Sequence, residues 1–291
     1  MQANKPLIII AGETASGKTA AAIATAQAVN GEIISADSWA VYRGFDIGTA
    51  KPDSAEQRAA KFHLINVADA PNGFSAVEFK QMALTAMDYI WTRGKVPIIA
   101  GGTGLYIDSV SYDFSFLPVG VAGERERLIK LELDDLLELA QQRGINLTGI
   151  DTRNKRRVIR AIETNGQRPS HAGLLPNTLY LGIRVNTDHL RDRVALRTDA
   201  MLAAGLEREV HNLARYYGWD VEPMKGIGYR EWREYFDGSQ DLATTRERIV
   251  AATMQLAKRQ RTWFKRNQDV QWVDDPNTIP GLATRFLSIT A

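Results

Sequence analysis

Gly12-Glu13-Thr14-Ala15-Ser16-Gly17-Lys18-Thr19 carries glycine, lysine and a side-chain hydroxyl at the spacing G-x-x-x-x-G-K-[ST]. Glycines at both ends let the backbone curl until successive N–H groups face inward as an anion nest. The N-terminus of a following helix adds partial positive charge. Lys18 supplies a mobile point charge for an outer phosphate, and Thr19 offers a hydroxyl to Mg²⁺. This is the chemistry of holding a diphosphate or triphosphate through Gly12, Thr14, Ala15, Ser16, Gly17, Lys18 and Thr19. It does not say which molecule carries the phosphates. A nucleotide such as ATP is the first candidate, but two features pull elsewhere. No strand ends in an obvious metal-binding carboxylate, the third closing in Ala100-Gly101-Gly102-Thr103. Nor is there the arginine-rich lid with which a small kinase clamps a transferring phosphoryl group.

The elements that must position this loop follow from hydrophobic patterning. Leu7 to Ala11 reads as a buried parallel strand and Lys18 to Val29 as a helix. Glu32 to Ala36 is a second strand, Ala76 to Thr92 a helix, and Val96 to Ala100 a third strand. Strands alternating with helices specify a parallel sheet covered by helices. Ligands of such sheets sit beyond the carboxyl ends of the strands. Asp37 and Thr103 follow the second and third strands, so both should face the phosphate loop's crevice. There an aspartate can take a proton from a nucleophile and a threonine hydroxyl can donate to a phosphate or bridging oxygen. Asp37 equally suits an Asx turn or a helix cap.

From about Ser115 the texture becomes charged and Leu-rich. Glu124 to Arg143 has helical periodicity, Asn154 to Glu163 reads as another helix, and Tyr180 to Val185 returns to strand. Beyond Asp188 the pattern is helical over Leu190–Leu202, Glu207–Tyr217 and about Thr244–Lys265, with a last short strand at Gln271–Val273.

Composition sets the outer limits. The chain has 291 residues, 44% hydrophobic and 24% charged, and no cysteine, which excludes disulfides and thiolate metal sites. The apolar run ending at Gly12 is too short for a signal segment, and no stretch is long enough to span a bilayer, so a cytoplasmic protein with no membrane association is expected. The four histidines, 63, 171, 189 and 211, have no metal-ligand spacing. Net charge is only +2, yet Arg153, Lys155, Arg156, Arg157 and Arg160 cluster, as do Arg246, Arg248, Lys258, Arg259, Arg261, Lys265 and Arg266. Such patches suit a polyanion docked on one face, and are equally what solvated helix faces look like.

Several runs, in order along the chain, resemble the tRNA dimethylallyltransferase (tRNA isopentenyltransferase) family. Besides the phosphate loop they are Ile34-Ser35-Ala36-Asp37-Ser38 with Val41 to Pro52, Gly101-Gly102-Thr103-Gly104-Leu105-Tyr106, Arg156 to Glu163, Gly226-Ile227-Gly228-Tyr229-Arg230, and Lys258-Arg259-Gln260-Arg261-Thr262-Trp263-Phe264. The resemblance implies an α/β fold, a P-loop NTPase-like parallel sheet flanked by helices, with a helical insertion domain. Core residues 1–114 and 179–291 are expected around an insert at 115–178 that contacts tRNA. It implies metal-assisted alkyl transfer without ATP, with dimethylallyl diphosphate held by Lys18, Ser16 and Thr19 with Mg²⁺. Asp37 would take a proton from N6 of the adenosine just 3′ of the anticodon. Thr103 and Arg197 would meet the departing diphosphate. The target base must be flipped from its stack, which favours an unpaired loop approached by basic helices and aromatics. Asp37, Ser38, Trp39, Ala40 and Thr103 would surround it. Arg125, Arg156, Arg157, Arg160, Lys258, Arg259 and Arg261 would grip the anticodon stem-loop. A monomer is expected.

This chain departs from the family pattern at three places. Glu13 stands where proline is usual, and a carboxylate there should point outward or pair with a cation. Ala40 stands where a base-fixing glutamine is usual, and Trp39 is expected to compensate by stacking. The stretch Leu117 to Asp151 is shorter than in the family. Three other readings compete: an adenylate isopentenyltransferase, a small P-loop kinase using Asp37 as base, and an RNA-binding module with an inactive site.

Overall fold

The computed structural model describes residues 5–117 and 123–290. Along the chain the elements are β1 (Leu7–Gly12), α1 (Lys18–Ala28), β2 (Gly31–Ala36), α2 (Ser54–Ala59), β3 (Phe62–His63), α3 (Ala76–Thr92), β4 (Val96–Gly101) and α4 (Gly104–Ser111). They continue as α5 (Glu124–Lys130), α6 (Leu133–Gln142), α7 (Lys155–Glu163), β5 (Thr178–Ile183), α8 (Leu190–Ala203), α9 (Leu206–Tyr217), α10 (Arg233–Phe236), α11 (Leu242–Phe264), β6 (Gln271–Val273) and α12 (Ile279–Thr290). Residues fall into two compact units, Met1–Tyr112 with Leu174–Ala291, and Asp113–Gly173.

In the first unit six strands form one sheet in the order β3-β2-β4-β1-β5-β6. Every pairing is parallel. The chain is thus α/β with a P-loop NTPase-like core. Its central strand β1 is apolar at every position because both faces are covered. Period-2 alternation splits its side chains between two cores. Leu7, Ile9 and Ala11 join Phe79, Met87, Tyr106 and Phe264 on one side, while Ile8 and Ile10 join Ala22, Ala26, Ile279 and Ala283 on the other. Full burial of each isoleucine contributes roughly 1.5–3 kcal/mol before entropy is counted. A third cluster, around Phe45, Tyr229 and Trp232, packs the 41–47 loop against α9.

In the second unit, Leu128, Leu136, Ala140, Val158, Ile159 and Ile162 form a small core among α5, α6 and α7. The continuous periodicity from Glu124 to Arg143 is here two helices. Leu131 turns extended, and Glu132 opens α6 with a reciprocal cap involving Asp135. Five elements go beyond the sequence expectations: α2, the two-residue β3, α4, the single-turn α10, and the C-terminal helix α12 that covers α1. Among the described residues no helix is long and apolar enough to cross a membrane.

Candidate active site

At the carboxyl end of the sheet the loop between β1 and α1 curls through two left-handed residues, Ala15 (φ 59°) and Gly17 (φ 87°). Alternation of hand along successive residues aims their N–H groups at one point, as an anion nest requires. The start of α1 is left open. Its N-cap Gly17 has no side-chain hydrogen bond to give, and no acidic residue stands in the first turn. α3 by contrast is closed by a Ser75–Glu78 capping box. The unpaired N–H groups of α1 and its dipole are therefore free for an anion.

A cleft of about 1140 Å³ opens over this loop. Thr14, Ala15, Ser16, Gly17, Lys18 and Thr19 line it together with Asp37, Trp39, Ala40 and Arg197. Arg197, projecting from α8, donates from Nη1 to Thr14 Oγ1 at 2.9 Å. Lys18 Nζ folds back over the loop, donating to the Glu13 carbonyl at 2.5 Å and reaching Ser16 Oγ at 3.4 Å. Burial, and next the Arg197 charge, push the Lys18 ammonium down to about 7, against the opposing pull of Asp37 and Glu13. Burial likewise lowers the Arg197 guanidinium, again opposed by Asp37. Two cations crowd together here with too little negative charge around them, the signature of a site built for an anion.

A pH dependence follows. Below about pH 7 Lys18 is charged. Above it, Lys18 is neutral and must take up a proton to meet a diphosphate. Inorganic diphosphate should therefore bind up to about tenfold more weakly per pH unit above 7, with proton uptake. Calorimetry at pH 8 in buffers of different ionisation enthalpy should show that uptake, and Lys18→Arg, always charged, should abolish it.

Asp37 caps the turn that follows β2. Its Oδ1 accepts from the N–H groups of Trp39 (2.8 Å) and Ala40 (3.3 Å). The Asx turn and the active-site orientation are thus the same structure, because one oxygen fixes the carboxylate while the other has no partner among the described residues. Thr103 Oγ1 accepts from Ser38 N–H at 3.0 Å and donates to Ser38 Oγ at 3.3 Å, which ties the end of β4 to the end of β2. Gly12 closes β1 and would carry a Cβ only at 3.1 Å from Ser16 Oγ. The Trp39 ring lies against Gly226 and is half-buried near Tyr42, its centroid 6.4 Å away.

Two residues that the sequence reading did not single out help build the site. Gln260 of α11 accepts from Thr14 N–H at 2.8 Å and donates to the Gly102 carbonyl at 3.1 Å, bridging the phosphate loop and the β4 turn. A Cβ at 102 would stand 2.2 Å from the Gln260 amide and displace it from this bridge. Glu209 of α9 accepts from the N–H groups of Asp46, Ile47 and Gly48 and from Tyr229 Oη, which holds the 44–51 wall of the cleft. Neither residue has a local signature for these roles, because Gln260 is 246 residues from Thr14 and Glu209 is 162 from Ile47.

The basic residues divide. Lys258 and Arg259 are exposed on α11, as are Arg156 and Arg157 on α7. Arg125 lies 2.9 Å from Glu163, a carboxylate whose side chain is 1% exposed, and Arg160 reaches the same group at 3.3 Å. Those two guanidiniums serve as counter-ions of a buried carboxylate as well as surface cations. Arg246 pairs with Asp199, and Arg248 with Glu234. Arg261 pairs with Glu13, which is buried and so takes the cation-paired option expected of it.

The family model described as IPP transferase matches residues 40–267. The chain belongs to this family. A tRNA dimethylallyltransferase of Exiguobacterium sp. is 41% identical over 282 residues, spanning 92% of this chain and 90% of the relative. Another, of Bacillus cytotoxicus, is 38% identical over 283 residues, spanning 92% and 90%. The crystal structure of a tRNA isopentenylpyrophosphate transferase from Bacillus halodurans superposes with a TM-score of 0.76 at 32% identity, covering 98% of this chain and 97% of that one. A eukaryotic dimethylallyltransferase acting on tRNA gives a TM-score of 0.80 at 26% identity, covering 93% and 74%.

Proposed function

We propose that this IPP transferase moves a dimethylallyl group from dimethylallyl diphosphate to N6 of the adenosine 3′-adjacent to the anticodon in tRNA, acting as a monomer in the cytoplasm. The observation that carries the reading is the junction in one cleft of the phosphate loop, the under-neutralised pair Lys18 and Arg197, and the backbone-fixed Asp37. The loop N–H groups, Ser16, Lys18 and Arg197 hold the diphosphate. N6 attacks C1 of the dimethylallyl group, forming the N–C bond as the C1–O bond breaks. The electron pair leaves with the diphosphate, whose developing charge the two cations and Thr103 stabilise. The free oxygen of Asp37 takes the N6 proton.

The donor set suits Mg²⁺ brought in with the diphosphate rather than a resident ion. Among the described residues no group of three or more His, Cys, Asp or Glu could hold a metal. Mg²⁺ commonly binds through one protein oxygen, water and substrate phosphates, and Thr19 would be that oxygen. Bound there, the ion would offset charge on the leaving diphosphate.

Ser38, Trp39 and Ala40 border the place where the flipped base must enter, with Trp39 offering its half-buried face to stack. Lys258, Arg259, Arg156 and Arg157, with Arg125 and Arg160, would meet phosphates of the stem-loop. The test is transfer of labelled dimethylallyl diphosphate to an anticodon stem-loop RNA, with and without Mg²⁺. Label in the RNA that requires Mg²⁺ is the expected result. Label on free adenylate, or tight RNA binding with no transfer, overturns the reading.

A further inference from the structure

Glu13 is a liability where it stands. It is the second residue of the phosphate loop, its side chain is 4% exposed, and a carboxylate so placed repels a diphosphate unless its charge is cancelled. The cancellation comes from the far end of the chain. Arg261 on α11 sets Nε 2.9 Å and Nη2 2.8 Å from Glu13 Oε2. Its neighbour Gln260 is already turned to the same loop, gripping Thr14 N–H. The two preceding residues, Lys258 and Arg259, are exposed instead. Within one helical turn, α11 therefore changes task from presenting cations to solvent to bracing the phosphate loop.

We infer that Arg261 is the counter-ion that keeps the phosphate loop of this chain electrically neutral at Glu13, and so governs donor-diphosphate affinity rather than RNA contact. The inference rests on the donor reading proposed above. In this role Arg261 is a positioning residue that acts through Glu13. Its charge sequence lets it be mistaken for part of the RNA-facing stripe, but its guanidinium is spent on a buried carboxylate.

The two partners then have opposite effects when removed singly. Arg261→Gln leaves an uncancelled buried carboxylate beside the diphosphate. Glu13→Gln leaves a net cation there. Removing both returns the loop to neutrality, with two amides still able to hydrogen-bond. A role in fold stability alone would not produce this sign pattern.

The experiment is calorimetric titration of the full chain with inorganic diphosphate in Mg²⁺ at about pH 6, below the range in which Lys18 loses its proton, beside stem-loop RNA binding across a salt series. Arg261→Gln should weaken diphosphate binding by about tenfold or more. The Glu13→Gln/Arg261→Gln double variant should return to within about threefold of wild type. RNA affinity and its salt dependence should be those of wild type in Arg261→Gln. An RNA-phosphate contact would instead cost about one unit of salt slope, and that result overturns the inference. So does a double variant that binds diphosphate no better than Arg261→Gln. If Arg261→Gln does not fold, Glu13→Gln carries the test alone: it must bind diphosphate at least as tightly as wild type, and weaker binding overturns the inference. Failure of the wild-type chain to bind diphosphate at all would remove the donor reading itself, a result distinguishable from the others.

Discussion

Asp37→Asn is expected to lower the rate of dimethylallyl transfer by about 10²–10⁴-fold, the usual contribution of a positioned general base. The choice of asparagine matters. Its Oδ1 still accepts from Trp39 and Ala40 N–H, so the turn after β2 and the Ser38–Thr103 link are kept. What is lost is a carboxylate able to take a proton. The loss should therefore appear in kcat, with KM for RNA little changed, whereas Asp37→Ala, which also dismantles the turn, should move both. A second signature accompanies the first. Asp37 is one of the negative charges that hold the Lys18 ammonium up toward its present value near 7. Without it, Lys18 should lose its proton at lower pH, and the weakening of diphosphate binding should begin below pH 7. Near wild-type turnover in Asp37→Asn would place the proton acceptor elsewhere.

The placement of Asp37 beside the phosphate loop was legible in the sequence. Residues at the ends of parallel strands face one crevice whatever the protein, so strand patterning set Asp37 beside the loop that the Gly12-to-Thr19 motif had marked. The helix Ala76–Thr92 was legible too, from its apolar spacing, and the structure adds a Ser75–Glu78 capping box at its start. The remainder depends on contacts that no local pattern encodes. Gln260 is 246 residues from Thr14, and Arg261 is 248 from Glu13, so neither role could be read from neighbours in the chain. Charge counting placed Arg261 with Lys258 and Arg259 because the three are close in sequence on one helix. Only the packing of α11 beside β1 separates them. Helix α12 lies beyond the last element the sequence analysis assigned; its first turn holds Pro280, a residue well suited to a helix start, beside Gly281, a poor helix former.

The same logic identifies a part of the sheet far from the chemistry on which stability should depend. Glu32, near the start of β2, has a side chain 1% exposed and accepts from Arg93 (2.5 Å), Lys95 (2.9 Å) and His63 (2.7 Å), with Lys61 at 3.9 Å. Arg93 and Lys61 also stand over the Tyr89 ring. These partners overcome the cost of burial and hold the Glu32 carboxyl down to about 2, against 4.5 in the unfolded chain. A folded-state value below the unfolded one means stability that is complete above about pH 4.5 and is lost as pH falls toward 2. The shift corresponds to about 3 kcal/mol. Glu32→Gln should forfeit it at neutral pH as well, and leave the surrounding cations without their shared anion. A cost of about 3–5 kcal/mol is expected, lowering Tm by on the order of 10 °C. Because β2 rises about 3.3 Å per residue, Glu32 lies roughly 16 Å along the strand from Asp37. Below its melting transition the variant should thus keep the kcat and diphosphate affinity of wild type. Thermal melts from pH 3 to 7 check both halves: the wild-type and variant curves should converge as the pH falls, and a constant difference across that range would show that the stabilisation does not come from the charge on Glu32.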